Sequence, residues 1–182
     1  SGEAGSLRGY PPSTAHLITA LCERAGPGTG FNGDITAVFS VLVAGSDMEE
    51  PIADILRGVL DGHVVLDRKI AERGRFPAID LLRSVSRSLP EAASDDENAL
   101  IATARRLLGA YDRSEMMIQA GLYAAGSDTE IDAAIAAFPA LDRFLTETAR
   151  DGIAESFRSL ARCVDSGTDD APIQPGPQND RT

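Results

Sequence analysis

Residues 60–87 read "LDGHVVLDRKIAERGRFPAIDLLRSVSR", and this stretch decides what kind of fold the chain can build. "HVVL" (63–66) is a short, β-branched run that suits a strand. "DRKIAERG" (67–74) follows with helical character and Gly74 as its stop. Pro77 then fixes Phe76 in an extended conformation. Arg83 and Arg87 place two permanent cations among apolar residues, serines and prolines. A guanidinium keeps its charge, so each arginine must reach water, a carboxylate or an anionic ligand. An ion pair of Arg87 with Asp80 or Glu91 would contribute only about 0–1 kcal/mol; the alternative is an arginine that reaches a phosphate. Phe76 divides in the same way. It is either ordinary core or a platform for a stacked nucleobase, a contact of about 1–3 kcal/mol. Composition and spacing alone leave both alternatives open.

Upstream, "ITAVFSVLVAG" (35–45) is a continuous apolar run, which predicts a strand covered on both faces as in a parallel sheet. It ends in an acidic loop, "SDMEEP" (46–51). Pro51 suits a first helical turn, and Ile52, Ile55, Leu56, Val59 and Leu60 follow at helical spacing. Before these, the segment after "GYPPS" (9–13) reads as a helix, with Ser13 as N-cap, an apolar face of Ala15, Leu17, Ile18 and Leu21, and Gly26-Pro27-Gly28 as its end. Cys22 belongs to that apolar pattern and reads as a small buried hydrophobe. Strand, helix, strand, helix is an α/β order.

Downstream of Pro90 the pattern becomes helical. Ser94 with Glu97 forms a capping-box pattern, and Leu100, Ile101, Ala104, Leu107, Leu108 and Tyr111 mark one face of a long helix continuing through Met117, Ile118 and Leu122. Ser127 with Glu130 repeats the capping pattern before Ile131, Ile135 and Phe138. Pro139 is expected to interrupt or kink that helix, and Leu141, Phe144 and Leu145 follow. A last helix presents Ile153, Phe157, Leu160 and Val164. The expected organisation is therefore an α/β segment over 1–91, a small all-α domain over 92–164 and a disordered tail over 165–182, whose composition cannot bury enough apolar surface to fold.

The chain has 182 residues, 43% of them hydrophobic, and a formal net charge of −11. That charge argues against binding nucleic acid or an anionic membrane surface. No run of about eighteen apolar residues offers a membrane span, and the N-terminal residues resemble neither a signal peptide nor a basic presequence. Cys22, Cys163, His16 and His63 are isolated from one another in sequence, so no metal site or disulfide framework is read from them. A cytoplasmic location is expected.

The motifs "GYPPS", "PIAD", "LDGHVVL", "RFPAID" and "SVSR", in this order, resemble the C-terminal half of the flagellum-specific and type III secretion ATPases, relatives of the catalytic subunits of rotary ATP synthases. The resemblance covers about residues 2–164. It implies the C-terminal part of a RecA-like P-loop nucleotide-binding domain followed by a small helical domain, and an activity that hydrolyses ATP to energise protein export. It implies that Phe76, next to Pro77, lines the adenine pocket. It implies too that Arg87 is an arginine finger offered in trans to a neighbouring subunit's nucleotide, which requires a ring, a homo-hexamer in this family. The loop "GSDMEEP", with Asp47, Glu49 and Glu50, resembles the loop that faces the pore and a coiled-coil stalk protein. The family commonly has aspartate where this chain has Glu50. The C-terminal helices would move with nucleotide state and face the export apparatus and substrate–chaperone complexes at the cytoplasmic face of the inner membrane. The related ATP synthases place a second adenine contact just after an "RFL" motif; "RFLTETARDG" (143–152) has no aromatic beyond Phe144 to supply it.

One pattern is missing. G-x-x-x-x-G-K-[ST] does not occur, and the Gly-rich "GPGTGFNGD" (26–34) lacks the lysine and does not follow a strand. The phosphate cradle and the magnesium ligands of ATP are thus expected outside these residues, and the isolated chain is expected to hydrolyse no ATP. The competing expectation is a non-catalytic helical interaction module that docks on full-length subunits or on a stalk protein.

Overall fold

The computed structural model describes residues 10–11, 13–43 and 49–165. The expected disordered tail lies outside them from residue 166 onward. The described chain forms two compact units. One holds the residues up to Val64 together with Val85–Arg87; the other holds Val65–Ser84 and the residues from Ser88 on.

In the first unit, α1 (Ser13–Cys22) begins at Ser13 itself and buries Cys22. It packs against α2 (Pro51–Val59), which carries Pro51 in its first turn, where a missing N–H costs nothing. Ala53 and Leu56 are its buried residues. The strand expected over 35–45 is not formed among the described residues. Ile35 makes one isolated antiparallel bridge to Gly26, with both N–H···O distances at 2.9 Å. From there to Val43 the chain has no regular structure, and Val38 and Leu42 are exposed. An apolar run becomes a strand only when a neighbouring strand supplies ladder partners, and no described residue does so.

β1 (Gly62–Leu66) and β2 (Ile79–Ser86) pair as a two-stranded sheet. The N–H of Arg87 donates to Asp61 O at one end and the N–H of Asp67 to Ala78 O at the other, so the strands run antiparallel, not parallel. Between them lies α3 (Arg68–Glu72), started by the Asp67 carboxylate, which accepts the Lys69 N–H at 2.7 Å. It stops at Gly74, whose φ of +79° a side chain would strain.

The second unit is dominated by three mutually packed helices, α4 (Asp95–Gln119), α5 (Thr129–Phe144) and α6 (Ile153–Asp165). Ser94 and Glu97 form both bonds of the capping box that starts α4. The helices bury Ala104, Leu107, Ala110, Ala134, Ala137, Leu141 and Val164. Four of these are alanines, so the backbones approach closely. Tyr111 of α4 stacks on Phe138 of α5, ring centroids 3.6 Å apart. Burial pushes the Tyr111 phenol above its usual pKa, and the neighbouring Glu115 adds to the shift.

One expectation for α5 is corrected and a second is narrowed. Its cap is Asp128, whose Oδ1 accepts the N–H groups of Glu130 and Ile131 at 2.8 and 3.2 Å, while the Ser127 hydroxyl donates back to Ala124 O. A carboxylate one residue nearer the helix takes both free N–H groups, leaving nothing for the serine. Of the two outcomes expected at Pro139, interruption is excluded, because α5 runs through it. It stands at an exposed position between Ala137 and Leu141, whose burial holds the helix together across the missing bond. α4 ends at Gln119, and Leu122 lies beyond it, exposed.

Candidate functional site

Arg87 follows directly on β2 and is exposed. Its guanidinium does not pair with Asp80 or Glu91. Nη2 donates to Arg57 O at 2.7 Å and Nη1 to Gly58 O at 3.3 Å. Those carbonyls belong to the last turn of α2, where helical C=O groups lack N–H partners and a cation is favourable. Among the described residues Arg87 meets no carboxylate, so backbone acceptors locate its charge without neutralising it. The strand leading to it is tightly approached: a Cβ on Gly62 would lie 2.5 Å from Val85 O, so only glycine fits there.

Arg83 is accounted for within its own chain. Its Nη1 lies 3.4 Å from Asp67 Oδ2 and its Nε 4.0 Å from Asp80 Oδ2. This arginine serves the sheet.

Phe76 is 64% exposed, so it is not core. The Phe76–Pro77 peptide is cis. Arg75, which sequence reasoning passed over, holds the segment on which Phe76 stands. Its Nε pairs with Asp142 of α5 at 3.1 Å, and its Nη2 donates to Ile79 O at 2.9 Å. With a side chain only 13% exposed, Arg75 is a largely covered strut. The sequence signal was slight, one arginine between Gly74 and Phe76. Phe76 and Arg87 belong to different units.

Of the acidic loop, Asp47 lies outside the described residues. Glu50 stands at the N-cap position of α2 without a side-chain cap bond; its carbonyl accepts the Asp54 N–H at 2.9 Å. Glu49 is exposed beside it.

A cavity of about 490 Å³ in the second unit is lined in part by Lys69, Arg73, Arg75, Arg83, Asp80 and Glu115. Its charges are largely matched internally, as by Arg73 with Glu115 at 2.6 Å and Arg75 with Asp142, so it is no anion cradle. Among the described residues no group of three or more His, Cys, Asp or Glu side chains is placed to hold a metal. With no phosphate-loop pattern in the sequence, these residues do not fit a magnesium or triphosphate cradle. They offer an exposed aromatic ring and an exposed, acid-free guanidinium.

Residues 1–86 match the nucleotide-binding domain of the ATP synthase alpha/beta family, and residues 93–162 match the type III secretion EscN ATPase C-terminal domain. These matches define the class: an ATP-synthase-type nucleotide-binding segment joined to a secretion-ATPase helical domain. The flagellum-specific ATP synthase of Caulobacter vibrioides is 42% identical over 91% of this chain and 39% of its own length. The SPI-2 type 3 secretion system ATPase of Salmonella typhimurium is 43% identical over 81% of this chain and 34% of its own. Among solved structures, the assembled ATPase EscN of enteropathogenic E. coli aligns with a TM-score of 0.82 at 34% identity, covering 90% of this chain and 40% of EscN. The chain belongs to the family of flagellum-specific and type III secretion ATPases. It spans about two fifths of the relatives it matches.

Proposed function

We propose that these residues supply the C-terminal part of an ATPase that energises flagellar or type III protein export, with Arg87 as an arginine finger acting in trans. The single observation that carries the reading is the state of Arg87: a permanent charge, exposed, seated on two helix-end carbonyls and paired with no acid among the described residues. A finger stabilises negative charge that grows on the transferring phosphoryl group. An arginine already neutralised by a carboxylate would do this poorly. Phe76, exposed beside Pro77 and braced by Arg75, suits a flat contact with adenine.

ATP and magnesium would then be held mainly by residues outside this sequence, and these residues alone would hydrolyse no ATP. A finger in trans needs a ring of like subunits, for which a homo-hexamer is the family's form. EscN has been solved assembled, and also in complex with its central stalk EscO, which supports a ring and a coiled-coil stalk as partners here. Glu49, Glu50 and Asp47 are the stalk-facing residues in this reading, and the helical unit faces the export apparatus and its substrate–chaperone complexes. No described helix is long and apolar enough to cross a membrane. The proposed place is the cytoplasmic face of the inner membrane, peripheral to the export gate.

The test uses the intact subunit that contains these residues. Arg87→Ala should lower ATP turnover by about 10³-fold or more while nucleotide affinity survives. Mixing Arg87→Ala subunits with subunits disabled in their own phosphate loop should restore part of the activity, because some interfaces then pair an intact finger with an intact cradle. Near-normal turnover in Arg87→Ala would remove Arg87 from the mechanism and overturn the finger reading.

A further inference from the structure

β2 carries an irregularity just before Arg87. A regular antiparallel ladder advances equally on both strands. Here the bonded ends are Asp61 with Arg87 and Asp67 with Ala78, so six steps along β1 face nine along β2. The surplus residues on β2 form a bulge, and the hydrogen bonds place it over residues 80–84. The Ser84 hydroxyl donates to Asp80 O at 2.6 Å, and the Arg83 N–H to Asp80 Oδ1 at 3.1 Å. The Val65 N–H, which a regular ladder would send to a backbone carbonyl, goes instead to Ser84 Oγ at 3.0 Å.

The carbonyls displaced by the bulge converge on one side chain. Arg105 of α4 donates from Nη1 to Leu81 O at 2.9 Å and Ser84 O at 3.4 Å, and from Nη2 to Leu82 O at 3.2 Å. Among the described residues this half-buried guanidinium meets no carboxylate; its hydrogen bonds go to three strand carbonyls. Its planar fork can serve acceptors diverging in this way, which a single ammonium point cannot reproduce.

We propose that Arg105 is a positioning residue for Arg87: by fixing the bulge at 80–84 it sets the register in which β2 delivers the finger. Side chains alternate faces along a strand, so a one-residue change in the bulge would carry Arg87 to the opposite face. The inference rests on Arg87 being the finger. It gives the helical domain a direct grip on the strand that ends in the catalytic charge.

The experiment is a double-mutant cycle in the intact subunit, reading kcat and KM for ATP, with thermal melting as a check of folding. Arg105→Ala should lower kcat on the order of 10²-fold, the size of effect that a small misplacement of a catalytic group produces, with KM little changed. Arg105→Lys should rescue poorly. In an Arg87→Ala background Arg105→Ala should cause no further loss, because its only route to turnover has already been removed. If Arg105→Ala retains wild-type kcat, or its loss adds in full to that of Arg87→Ala, the positioning role is wrong and the finger stands. If Arg87→Ala itself turns over normally, the finger reading fails and this inference fails with it. If Arg105→Ala does not fold, the cycle is run with Arg105→Lys, for which additivity again overturns the proposal.

Discussion

Leu141 and Leu42 are the same side chain in two units of one chain; the first is 2% exposed and the second 96%. The segments around them are comparably apolar. Around Leu141, apolar residues recur every three or four positions, and three helices close on one another to bury Ala104, Ala110, Ala134 and Ala137 with it. Around Leu42 the apolar residues are consecutive. A run of that kind can be covered only as an inner strand, by neighbours on both edges and both faces, and none of the described residues provides them. A helix satisfies its own backbone and needs partners for one face only. A strand depends on other segments for its hydrogen bonds as well as its packing.

The widest break of this comparison is by truncation to alanine in the 182-residue chain. Leu141→Ala should cost about 2–5 kcal/mol, the transfer term plus the cavity left behind, read as a lower urea midpoint of the helical transition. Leu42→Ala should change stability by less than about 0.5 kcal/mol. Equal losses at the two sites would show that residues 35–43 are covered in solution, by self-association for instance, and the contrast between the units would fall.

A narrower test concerns what starts the helical unit. Ser94→Ala removes the hydroxyl that accepts the Glu97 N–H at 3.3 Å, while the Glu97 carboxylate accepts the Ser94 N–H at 2.8 Å. The expected cost is about 1 kcal/mol, seen in melting of the helical unit and in faster amide exchange over the first turn of α4. An unchanged exchange rate there would mean that packing of the α4 face alone fixes the helix start.

What was legible in the sequence follows the same division. The Ser94–Glu97 box, the α4 face, Pro51 in the first turn of α2 and Gly74 as a stop are local rules, and each appears in the structure. The strand expected over 35–45 is not formed over the described residues 35–43, because its formation depends on partners that an apolar pattern cannot name. The cap of α5 moved from Ser127 to Asp128 because two capping residues stood side by side and the carboxylate was the better placed acceptor. At Pro139 the helix is not interrupted, with Ala137 and Leu141 buried on either side of it. At the candidate site, Arg87 and Phe76 could be singled out by residue type and motif, but their surroundings could not. That Arg87 sits on Arg57 and Gly58 carbonyls, that Arg75 reaches Asp142, and that Arg105 gathers carbonyls of β2 are contacts across 21 to 67 residues of chain. Nothing in sequence spacing encodes them.

The smallest effect probes whether charge adds to packing in the helical unit. Glu155, in the first turn of α6, accepts from Arg158 Nε at 2.7 Å and Arg162 Nη2 at 3.0 Å. The hydrogen bonds from Arg158 and Arg162 hold its carboxyl below the usual carboxylate pKa. A carboxyl whose folded value is depressed lends stability that is fully present above its unfolded value and disappears as pH falls through the folded one. Both arginines are well exposed, so the contribution is screened by salt and small. Wild type and Glu155→Gln should therefore differ slightly in melting temperature at neutral pH and low salt. The gap should narrow in high salt and vanish in acid below the carboxylate range. A gap that persists in acid would trace to the packing of the side chain along α6, and the helical unit would then owe nothing measurable to this ion pair.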